Sequence, residues 1–296
     1  MADPDRESDT EAPGDITPGR ARALLAALVL LALALRLWAI SDVPPGLDTD
    51  EASIGYNAYT LARTGRDEYG TLLPLVFRGF SEFKRPAYVY ATVPSVVALG
   101  PTPAAVRVPA AIFGTLSVVV LYALGTALLR RRWVGLRAAA LLAVSPWHLQ
   151  FTRTGREVSL LVLMLMLCAW FVVTAAAATP PTHTGARPHN RYMLAALALL
   201  VALYTYPSGL VLVPLLGALL ARVYWRGISA APRRWLLAAF AVFALGSVPQ
   251  VLQVLDGRAL ARLDQASLLN QPAVLALSQS RVERDRRDGA PWVLQT

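Results

Sequence analysis

The stretch ALLAALVLLALALRLWAI, residues 23–40, is an apolar run whose one charged residue is Arg36. A run of about 20 apolar residues is long enough to cross the hydrocarbon core of a bilayer. Arg20 and Arg22 precede the run, and no small-residue cleavage site follows it, because it ends in LWAI. These features favour an uncleaved first membrane span, with its N-terminus in the cytoplasm, over a secretory signal peptide.

The composition of the whole chain is that of a polytopic membrane protein. Of its 296 residues, 55% are hydrophobic and 16% are charged. Further apolar runs follow the first one, at about 86–99, 105–129, 135–149, 157–178, 192–206, 208–224 and 234–253. Cys168 is the only cysteine, so no intrachain disulfide can form and helix packing must hold the fold. We predict an all-α fold, a polytopic transmembrane helical bundle with an extracytoplasmic first loop that carries juxtamembrane helices.

The formal net charge of +9 would indicate a nucleic-acid partner in a soluble protein. Here the arginines cluster in short loops between apolar runs, at 130–137, 187–191 and 222–234, which is typical of cytoplasmic loops in membrane proteins. No basic helix or stripe lies outside these loops, so we expect no nucleic-acid partner. We expect membrane lipids to surround the bundle instead.

The positive-inside rule orients the predicted spans. With all three basic loops in the cytoplasm, the chain crosses the membrane seven times and residues 41–104 lie entirely outside. The run PAYVYATVPSVVALG, residues 86–100, would then be a re-entrant or interfacial piece. The alternative, with eight crossings, places the triple arginine 130–132 outside and the last segment inside. We prefer seven.

The chain divides into three predicted parts. Residues 1–20 are polar, acidic and rich in Pro and Gly, so we expect a disordered cytoplasmic N-terminus. Residues 21–253 form the transmembrane module, whose first outer loop is 41–104. Residues 254–296 mix short apolar patches with dense charge and are predicted to be an extracytoplasmic loop. Because no closing element follows, we expect a larger protein to continue beyond Thr296.

Two acid pairs follow the first span in LDTDEASIGYNAYTLARTGRDEYG, residues 47–70. Asp48 as N-cap with Glu51 three residues later predicts a capping box at the start of a helix. This structural interpretation accounts for Asp48 and Glu51 but leaves Asp50 unexplained. The second pair, at 67 and 68, is predicted to lie in a solvated turn.

Further ionisable groups converge on the same side of the membrane in the seven-crossing topology. They come from the first outer loop and from the outer ends of the spans: Arg36, Glu82, Lys84, Arg85, Arg107, Arg153, Arg156 and Glu157. Charges near the bilayer interior are costly and often mark function. A carboxylate among lysine and arginine at headgroup depth suits two tasks, proton abstraction and the binding of a phosphate.

Three short motifs occur in order around this loop. The first span ends in Leu-Arg-Leu, and a Pro-Gly turn then precedes Asp50-Glu51; Lys84-Arg85-Pro86 and Arg107-Val108-Pro109 follow. This order resembles the C-type superfamily of membrane glycosyltransferases, with protein O-mannosyltransferases and the transferases that put aminoarabinose on lipid A as the nearest relatives. The segment ARLDQASLLNQPAVL, residues 261–275, also resembles a motif of bacterial members. The resemblance covers about residues 22–275, the N-terminal part of such enzymes.

The resemblance implies an enzyme, a hexosyl- or pentosyltransferase that uses a polyprenyl-phosphate sugar to glycosylate an acceptor hydroxyl. The acceptor, a protein, lipid or glycan, is unknown. Catalysis would take place on the outer face of the plasma membrane by an inverting mechanism, with Asp50 as general base and Glu51 beside it. The donor phosphate would bind Lys84, with Arg107, Arg36 and Arg85 as further candidates. The motifs depart from the relatives at Arg85, where they have a second proline, and at Ser53, where some have arginine.

Other candidates line the same predicted site. They are the pocket residues Glu82, Arg153, Arg156, Tyr204 and Tyr206. No cofactor is certain; a divalent metal ion is an open candidate, and Glu82 is the residue that would help to hold it.

Two alternative functions use the same features. One is a transporter or flippase of lipid-linked sugars, which the absence of inverted repeats disfavours. The other is a catalytically inert relative that only binds lipid.

Overall fold

The computed structural model describes residues 15–79, 83–177 and 190–255, together with residues 279, 280 and 283. Within these ranges the chain is almost entirely helical, which confirms the predicted all-α class. The helices are α1 Pro18–Leu37, α2 Thr49–Thr64, α3 Pro86–Leu99, α4 Pro103–Leu129, α5 Arg132–Val144, α6 Pro146–Arg153, α7 Val158–Ala177, α8 Asn190–Leu203, α9 Gly209–Val223, α10 Trp225–Ser229 and α11 Arg233–Leu255.

One small antiparallel hairpin accompanies the described helices. Strand β1 is Phe77–Arg78 and strand β2 is Phe83–Lys84, with Phe77 paired to Lys84 and Arg78 paired to Phe83. The buried Phe77 ring packs edge-on against Tyr90, with ring centroids 5.8 Å apart. The hairpin therefore fixes Lys84 directly before α3.

Three of the described helices are long and apolar enough to cross a membrane: α4, α7 and α11. The apolar helices α3, α8 and α9 are shorter, with 14, 14 and 15 residues. At 1.5 Å per residue each of these three helices spans only about 21–23 Å, less than the ~30 Å hydrocarbon core, so length does not distinguish α3, the predicted re-entrant piece, from α8 and α9, which are predicted to cross. The choice between seven and eight crossings stays a prediction.

The predicted boundaries differ from the helices at two places. The apolar run 135–149 is divided at Ser145, where α5 ends and Pro146 begins α6, because proline is favoured in the first turn of a helix. At the N-terminus, the Asp15 carboxylate accepts hydrogen bonds from the backbone N–H groups of Arg132 and Trp133, at 3.0 and 3.2 Å. Residues 15–20, which belong to the predicted disordered N-terminus, are thus described, and the last three of them lie in α1. The described residues do not include 1–14, 178–189 or nearly all of 256–296. Most of the predicted N-terminal segment 1–20 and of the predicted loop 254–296, with the 261–275 motif, therefore lies outside them.

Helix α4 lies at the centre of the N-terminal half, in contact with α1, α3, α5, α6 and α7. Small residues allow this close packing: Ala32 of α1 and Ala139 and Ala143 of α5 are buried against Val118 of α4. Close approach through small side chains is the usual basis of helix association in lipid, where burial of apolar surface from water provides no driving force. The contacts among α1, α4 and α6 fix these three helices relative to each other.

We expect Gly114→Ala to destabilise the protein. A Cβ atom at Gly114 would lie 2.5 Å from Thr152 of α6 and 2.8 Å from Nε of Arg36, so the helices would have to separate. Overpacking of this kind costs about 1–3 kcal/mol. Thermal unfolding of the purified protein in detergent should show the lower midpoint.

Gly217→Ala is the matched control, because the new Cβ would meet only Leu199, at 3.9 Å. This variant should unfold at or slightly above the wild-type midpoint, since alanine is the better helix former. Equal midpoints for the Gly114 and Gly217 variants would contradict the packing described for α4.

Candidate functional site

The N-terminus of α2 has the predicted capping box. Oδ1 of Asp48 accepts hydrogen bonds from the backbone N–H groups of Asp50 and Glu51, at 2.8 and 2.9 Å. In return, Oε2 of Glu51 accepts from the Asp48 N–H at 3.2 Å. The structural interpretation of Asp48 and Glu51 is therefore confirmed, and Asp50 is the acid that the cap does not use.

Glu51 also forms a buried ion pair with Arg107 of α4. Its two carboxylate oxygens accept from Nε and Nη2 of Arg107, at 2.8 and 3.0 Å, and Oε1 accepts from the Gly155 N–H at 2.8 Å. The remaining Arg107 donors bind three backbone carbonyls of the loop after α1, those of Ile40, Pro44 and Gly46. All five guanidinium N–H groups are thus used inside the protein.

The two charges of this pair are almost completely inaccessible to solvent. Relative exposure is 0% for Arg107 and 1% for Glu51. Burial by itself would raise the pKa of Glu51, but the hydrogen bonds from Arg107, Gly155 and Asp48 outweigh it and lower that pKa below its ordinary value. Glu51 is therefore held as a carboxylate and joins α2 to α4 and to the α6–α7 connection.

Asp50 points into different surroundings although it is the next residue. Its Oδ1 accepts from Nζ of Lys84 and its Oδ2 accepts from Nη1 of Arg156, each at 2.5 Å. Nη2 of Arg156 donates to Oδ2 of Asp48 at 2.6 Å. The Asp50 side chain keeps 26% exposure, whereas that of Lys84 has 3%. A partly exposed carboxylate thus lies between two cations.

Lys84 is the only lysine of the chain; every other basic residue apart from histidine is arginine. Its position is set by β2, opposite Phe77, and its ammonium group reaches α2 from there. Its occurrence as the one lysine among many arginines is a second signal in the sequence, besides the Lys84-Arg85-Pro86 motif, that distinguishes Lys84 from the arginines around it.

A cavity of about 630 Å³ opens beside Asp50. Its wall combines the loop after α1, the start of α2, the end of α6 and the turn after α8. Among its polar lining residues are Asp48, Asp50, Glu51, Gln150, Arg156, Glu157 and Tyr206. Glu157 is 6% exposed, and burial is the main reason that its pKa is raised above the ordinary glutamate value. The wall of the cavity thus contains two glutamates whose pKa values are shifted in opposite directions, Glu51 downward and Glu157 upward.

One family profile matches the sequence, that of the dolichyl-phosphate-mannose-protein mannosyltransferases, over residues 85–251. The chain belongs to this family. It is therefore a membrane protein and a glycosyltransferase of the mannosyltransferase type. A search of the curated proteins finds no match.

The matched segment of this mannosyltransferase-family chain begins after part of the site. It contains Arg107, the α6–α7 connection and Tyr206, but Asp50 and Lys84 precede it. The structure brings the two parts together through the ion pairs that Asp50 and Glu51 form with Arg156 and Arg107.

Two other predicted site residues of this family member, Arg36 and Arg153, bind backbone carbonyls and are not among the cavity-lining residues. Arg36 is fully buried and donates to the carbonyls of Ala32 and Ala143, at 2.9 and 3.3 Å. Arg153 donates to carbonyls at the end of α1 and in the loop after it, those of Leu35, Trp38 and Val43. Both arginines therefore attach α1 to the α5–α6 region, and their predicted contacts with substrate stay predictions.

The remaining predicted residues lie near the start of α3. The Tyr204 hydroxyl donates to the carbonyl of Gly246 on α11 at 2.7 Å, while Tyr206 lines the cavity. Arg85 is 4% exposed, close to Tyr204. Glu82, the metal candidate, lies outside the described residues. Within the described part of the chain, no group of three His, Cys, Asp or Glu side chains could hold a metal ion.

The second acid pair lies in a turn, as predicted, but Asp67 is 7% exposed instead of solvated. Its Oδ1 accepts from the N–H groups of Tyr69 and Thr71, at 3.0 and 2.8 Å. Glu68 accepts from the Asn57 amide at 2.9 Å. This pair therefore shapes the turn after α2 and does not reach the cavity lining.

We expect Glu51→Gln to destabilise this transferase by about 3–5 kcal/mol at neutral pH, because it leaves the Arg107 charge buried without its counter-ion. The Glu51 pKa is lowered in the folded state, so its stabilisation is complete above the ordinary pKa of 4.5 and is lost as the pH falls through the lower folded value. Thermal unfolding at pH 7 and at a series of acidic pH values measures both effects.

Glu68→Gln is the matched control, since Glu68 is exposed and the amide oxygen of glutamine can still accept the hydrogen bond from Asn57. It should leave the free energy of unfolding within ~0.5 kcal/mol of the wild-type value. The buried ion pair would lose its assigned role if the Glu51 variant unfolded at the wild-type midpoint at neutral pH.

Proposed function

We propose that this glycosyltransferase transfers a sugar from a polyprenyl-phosphate donor to an acceptor hydroxyl, with inversion at the anomeric carbon and Asp50 as the general base. The observation that carries the proposal is the Asp50 carboxylate, held between Lys84 and Arg156 at the wall of a cavity of about 630 Å³. A base and two cations are the groups that this reaction requires.

The reaction accounts for each of these groups. The acceptor hydroxyl gives its proton to a carboxylate oxygen of Asp50 while the acceptor oxygen forms the new bond to the anomeric carbon. The bond from that carbon to the phosphate oxygen breaks, and the electron pair leaves with polyprenyl phosphate. A diester thereby becomes a monoester, so negative charge develops on the phosphate oxygens. We assign the stabilisation of that charge to Lys84 and Arg156, since preorganised donors of this kind are worth about 10²–10³-fold in rate.

The same two cations control the base. With no donor bound, both Asp50 oxygens accept from a cation at 2.5 Å, so the carboxylate is poorly placed to accept another proton. The phosphate of an arriving donor competes with Asp50 for Lys84 and Arg156, since charge-assisted bonds to phosphate are equally strong. Binding of the donor would release an Asp50 oxygen for the acceptor hydroxyl. The donor would therefore bind before the acceptor hydroxyl is deprotonated.

In this proposal Glu51 and Arg107 have a structural role in place of the predicted catalytic and phosphate-binding roles. Their mutual ion pair and the five hydrogen bonds of Arg107 favour a structural task, that of holding α2 so that Asp50 faces the cavity. Glu157, which the resemblance did not single out, lies beside Asp50 in the cavity wall and can receive the proton from it.

The ends of α4 support an active site on the non-cytoplasmic face of the plasma membrane. Arg107 and the cavity lie at the N-terminal end of this 27-residue helix, and the basic stretch Arg130–Arg132 follows its C-terminal end. The two ends are about 40 Å apart at 1.5 Å per residue, enough to cross a bilayer. Because basic loops stay in the cytoplasm, the site is assigned to the opposite side.

We expect Asp50→Asn to abolish transfer, because the amide cannot accept the proton, while binding of the lipid persists. Membranes that contain either form are supplied with radiolabelled polyprenyl-phosphate sugars. Release of polyprenyl phosphate and transfer of the sugar are followed over time. Removal of a general base costs about 10²–10⁴-fold in rate.

Asp42→Asn is the matched control: the same chemical change in the same outer loop, at an exposed residue. It should retain wild-type turnover. Equal turnover in the Asp50 and Asp42 variants would refute the proposed base. Movement of labelled lipid across the bilayer without hydrolysis or transfer would favour the transporter, and binding alone in every form would favour an inert relative.

Lys84→Met should lower turnover by about 10²–10³-fold with a smaller effect on the Michaelis constant, since the charge that Lys84 stabilises grows in the transition state. Arg63→Met, at the exposed end of α2, removes a positive charge from the same loop and should leave both constants unchanged. A Lys84 variant that raised only the Michaelis constant would restrict this residue to ground-state binding.

A further inference from the structure

The connection from α2 to β1 exposes three leucines within four residues. Leu72, Leu73 and Leu75 are 59%, 61% and 50% exposed, whereas Pro74 between them is buried. Contiguous apolar side chains on a surface often mark a place where another protein or a membrane binds. Residues 72–75, here called the leucine turn, are not among the residues that line the cavity beside Asp50. They therefore need an explanation apart from the proposed reaction.

Hydrogen bonds hold the leucine turn in its exposed conformation. The Leu73 N–H donates to the Gly65 carbonyl at 3.0 Å, and the Pro74 carbonyl accepts from the Tyr90 hydroxyl at 3.0 Å. Leu73 has a φ of +43°, in the left-handed region that a bulky residue rarely adopts. Such a conformation persists only where the surrounding contacts impose it. The outward position of the leucines is thus built into the turn.

The leucine turn is attached to a helix that contacts the end of a membrane span. This helix is α3, which contains Tyr90 and packs on the first turn of α4. The Tyr88 hydroxyl donates to the Val106 carbonyl at 3.0 Å, and the Ser95 hydroxyl donates to the Ala105 carbonyl at 2.5 Å. Because α4 is about 40 Å long and the hydrocarbon core is ~30 Å thick, its first turn lies near the boundary between acyl chains and headgroups. The leucine turn, beside α3, is within reach of this boundary.

Arginine and tyrosine side chains flank the leucine turn. Arg66 forms a backbone bridge with Leu72, and its Nη1 donates to the Gly70 carbonyl at 2.7 Å. The guanidinium of Arg78 lies 5.3 Å from the centroid of the Tyr69 ring. Arg66, Tyr69 and Arg78 are all exposed. Leucine, tyrosine and arginine together are typical of segments that lie in a bilayer interface, where the apolar groups enter the lipid and the cations meet anionic headgroups.

The acids of the same connection are engaged within the protein. The Asp67 carboxylate accepts from backbone N–H groups of its own turn, and the Glu68 carboxylate accepts from the Asn57 amide at 2.9 Å. The arginines therefore dominate the charge around the leucine turn. This charge favours an anionic lipid surface as its partner.

We propose that the leucine turn inserts into the surface of the membrane, with Leu72, Leu73 and Leu75 among the acyl chains and Arg66 and Arg78 at anionic headgroups. Interfacial segments of this kind bury their apolar side chains about 5–10 Å into the boundary region. The turn thereby fixes the C-terminal end of α2 at the bilayer, while the buried ion pair in the first turn of α2 fixes its other end. The proposal does not rest on transferase activity.

Fluorescent labelling of the full chain measures the depth of the leucine turn. Cys168 is the only cysteine and is buried, so Cys168→Ala provides a background without a thiol. On this background, Leu73→Cys and Leu75→Cys each receive the environment-sensitive fluorophore NBD. Asp42→Cys, at an exposed acidic residue in the loop after α1, is the matched control. Each protein is studied in detergent and in nanodiscs of phosphatidylcholine with or without phosphatidylglycerol, and its thermal unfolding midpoint is compared with that of the background.

We expect the labels at 73 and 75 to emit at shorter wavelength in nanodiscs than the label at 42. Lipids with a spin label high on the acyl chain should quench the two turn labels, and iodide in the water should quench them several-fold less than the control, because lipid replaces water around them. Phosphatidylglycerol should increase the quenching by spin-labelled lipid. Arg78→Gln should remove much of this increase, whereas Arg130→Gln, at the opposite end of α4, should not.

Equal iodide quenching at 73, 75 and 42, with no quenching by spin-labelled lipid, would overturn the proposal. So would short-wavelength emission that persists in detergent and does not respond to spin-labelled lipid, because protein, such as a second copy of the chain, would then cover the turn. An equal effect of phosphatidylglycerol with and without Arg78→Gln would refute the role of this arginine at the headgroups.

Discussion

The buried Glu51–Arg107 ion pair is the interaction on which the arrangement of the outer loop depends. Arg107 extends from the first turns of α4 and binds Glu51 of α2 together with three carbonyls after α1. Glu51 in turn accepts from Gly155, which precedes Arg156. One charge pair thus fixes four chain segments at one end of the bundle. The cost of burying it is offset because the guanidinium donors and both carboxylate oxygens have partners.

This constraint explains why two adjacent acids have different surroundings. Consecutive residues of a helix point about 100° apart, so when Glu51 faces the interior, Asp50 faces the cavity. Glu51 has a lowered pKa and little exposure, and Asp50 keeps a quarter of its side chain exposed between two cations. A rigid acid next to an accessible one gives the accessible acid a defined position, as a site for in-line chemistry requires.

The polar groups at this end of the bundle differ in how completely they are paired. Some are fully paired, such as Arg107, some are paired in a manner that a phosphate could disrupt, such as Lys84, and Arg85 has its terminal nitrogens unpaired. In a protein that contacts lipid, an unpaired buried charge is expensive, and structures retain it mainly where a ligand pairs with it.

The sequence by itself determined the membrane class, because the order of its residues shows apolar runs of the required length. It also determined the capping box, because that motif depends on two residues three positions apart. It also predicted that Asp50, Lys84 and Arg156 belong to one site, and the structure brings their charged groups into contact. Only the tertiary structure decided which charges pair, since Asp50 and Arg156 are 106 positions apart and spacing carries no information about such contacts. The tertiary structure likewise decided that Arg107 pairs with Glu51 and that Gln250 is buried. No sequence motif had indicated either. Local patterns fix elements, whereas the partner of a buried charge depends on how distant helices pack.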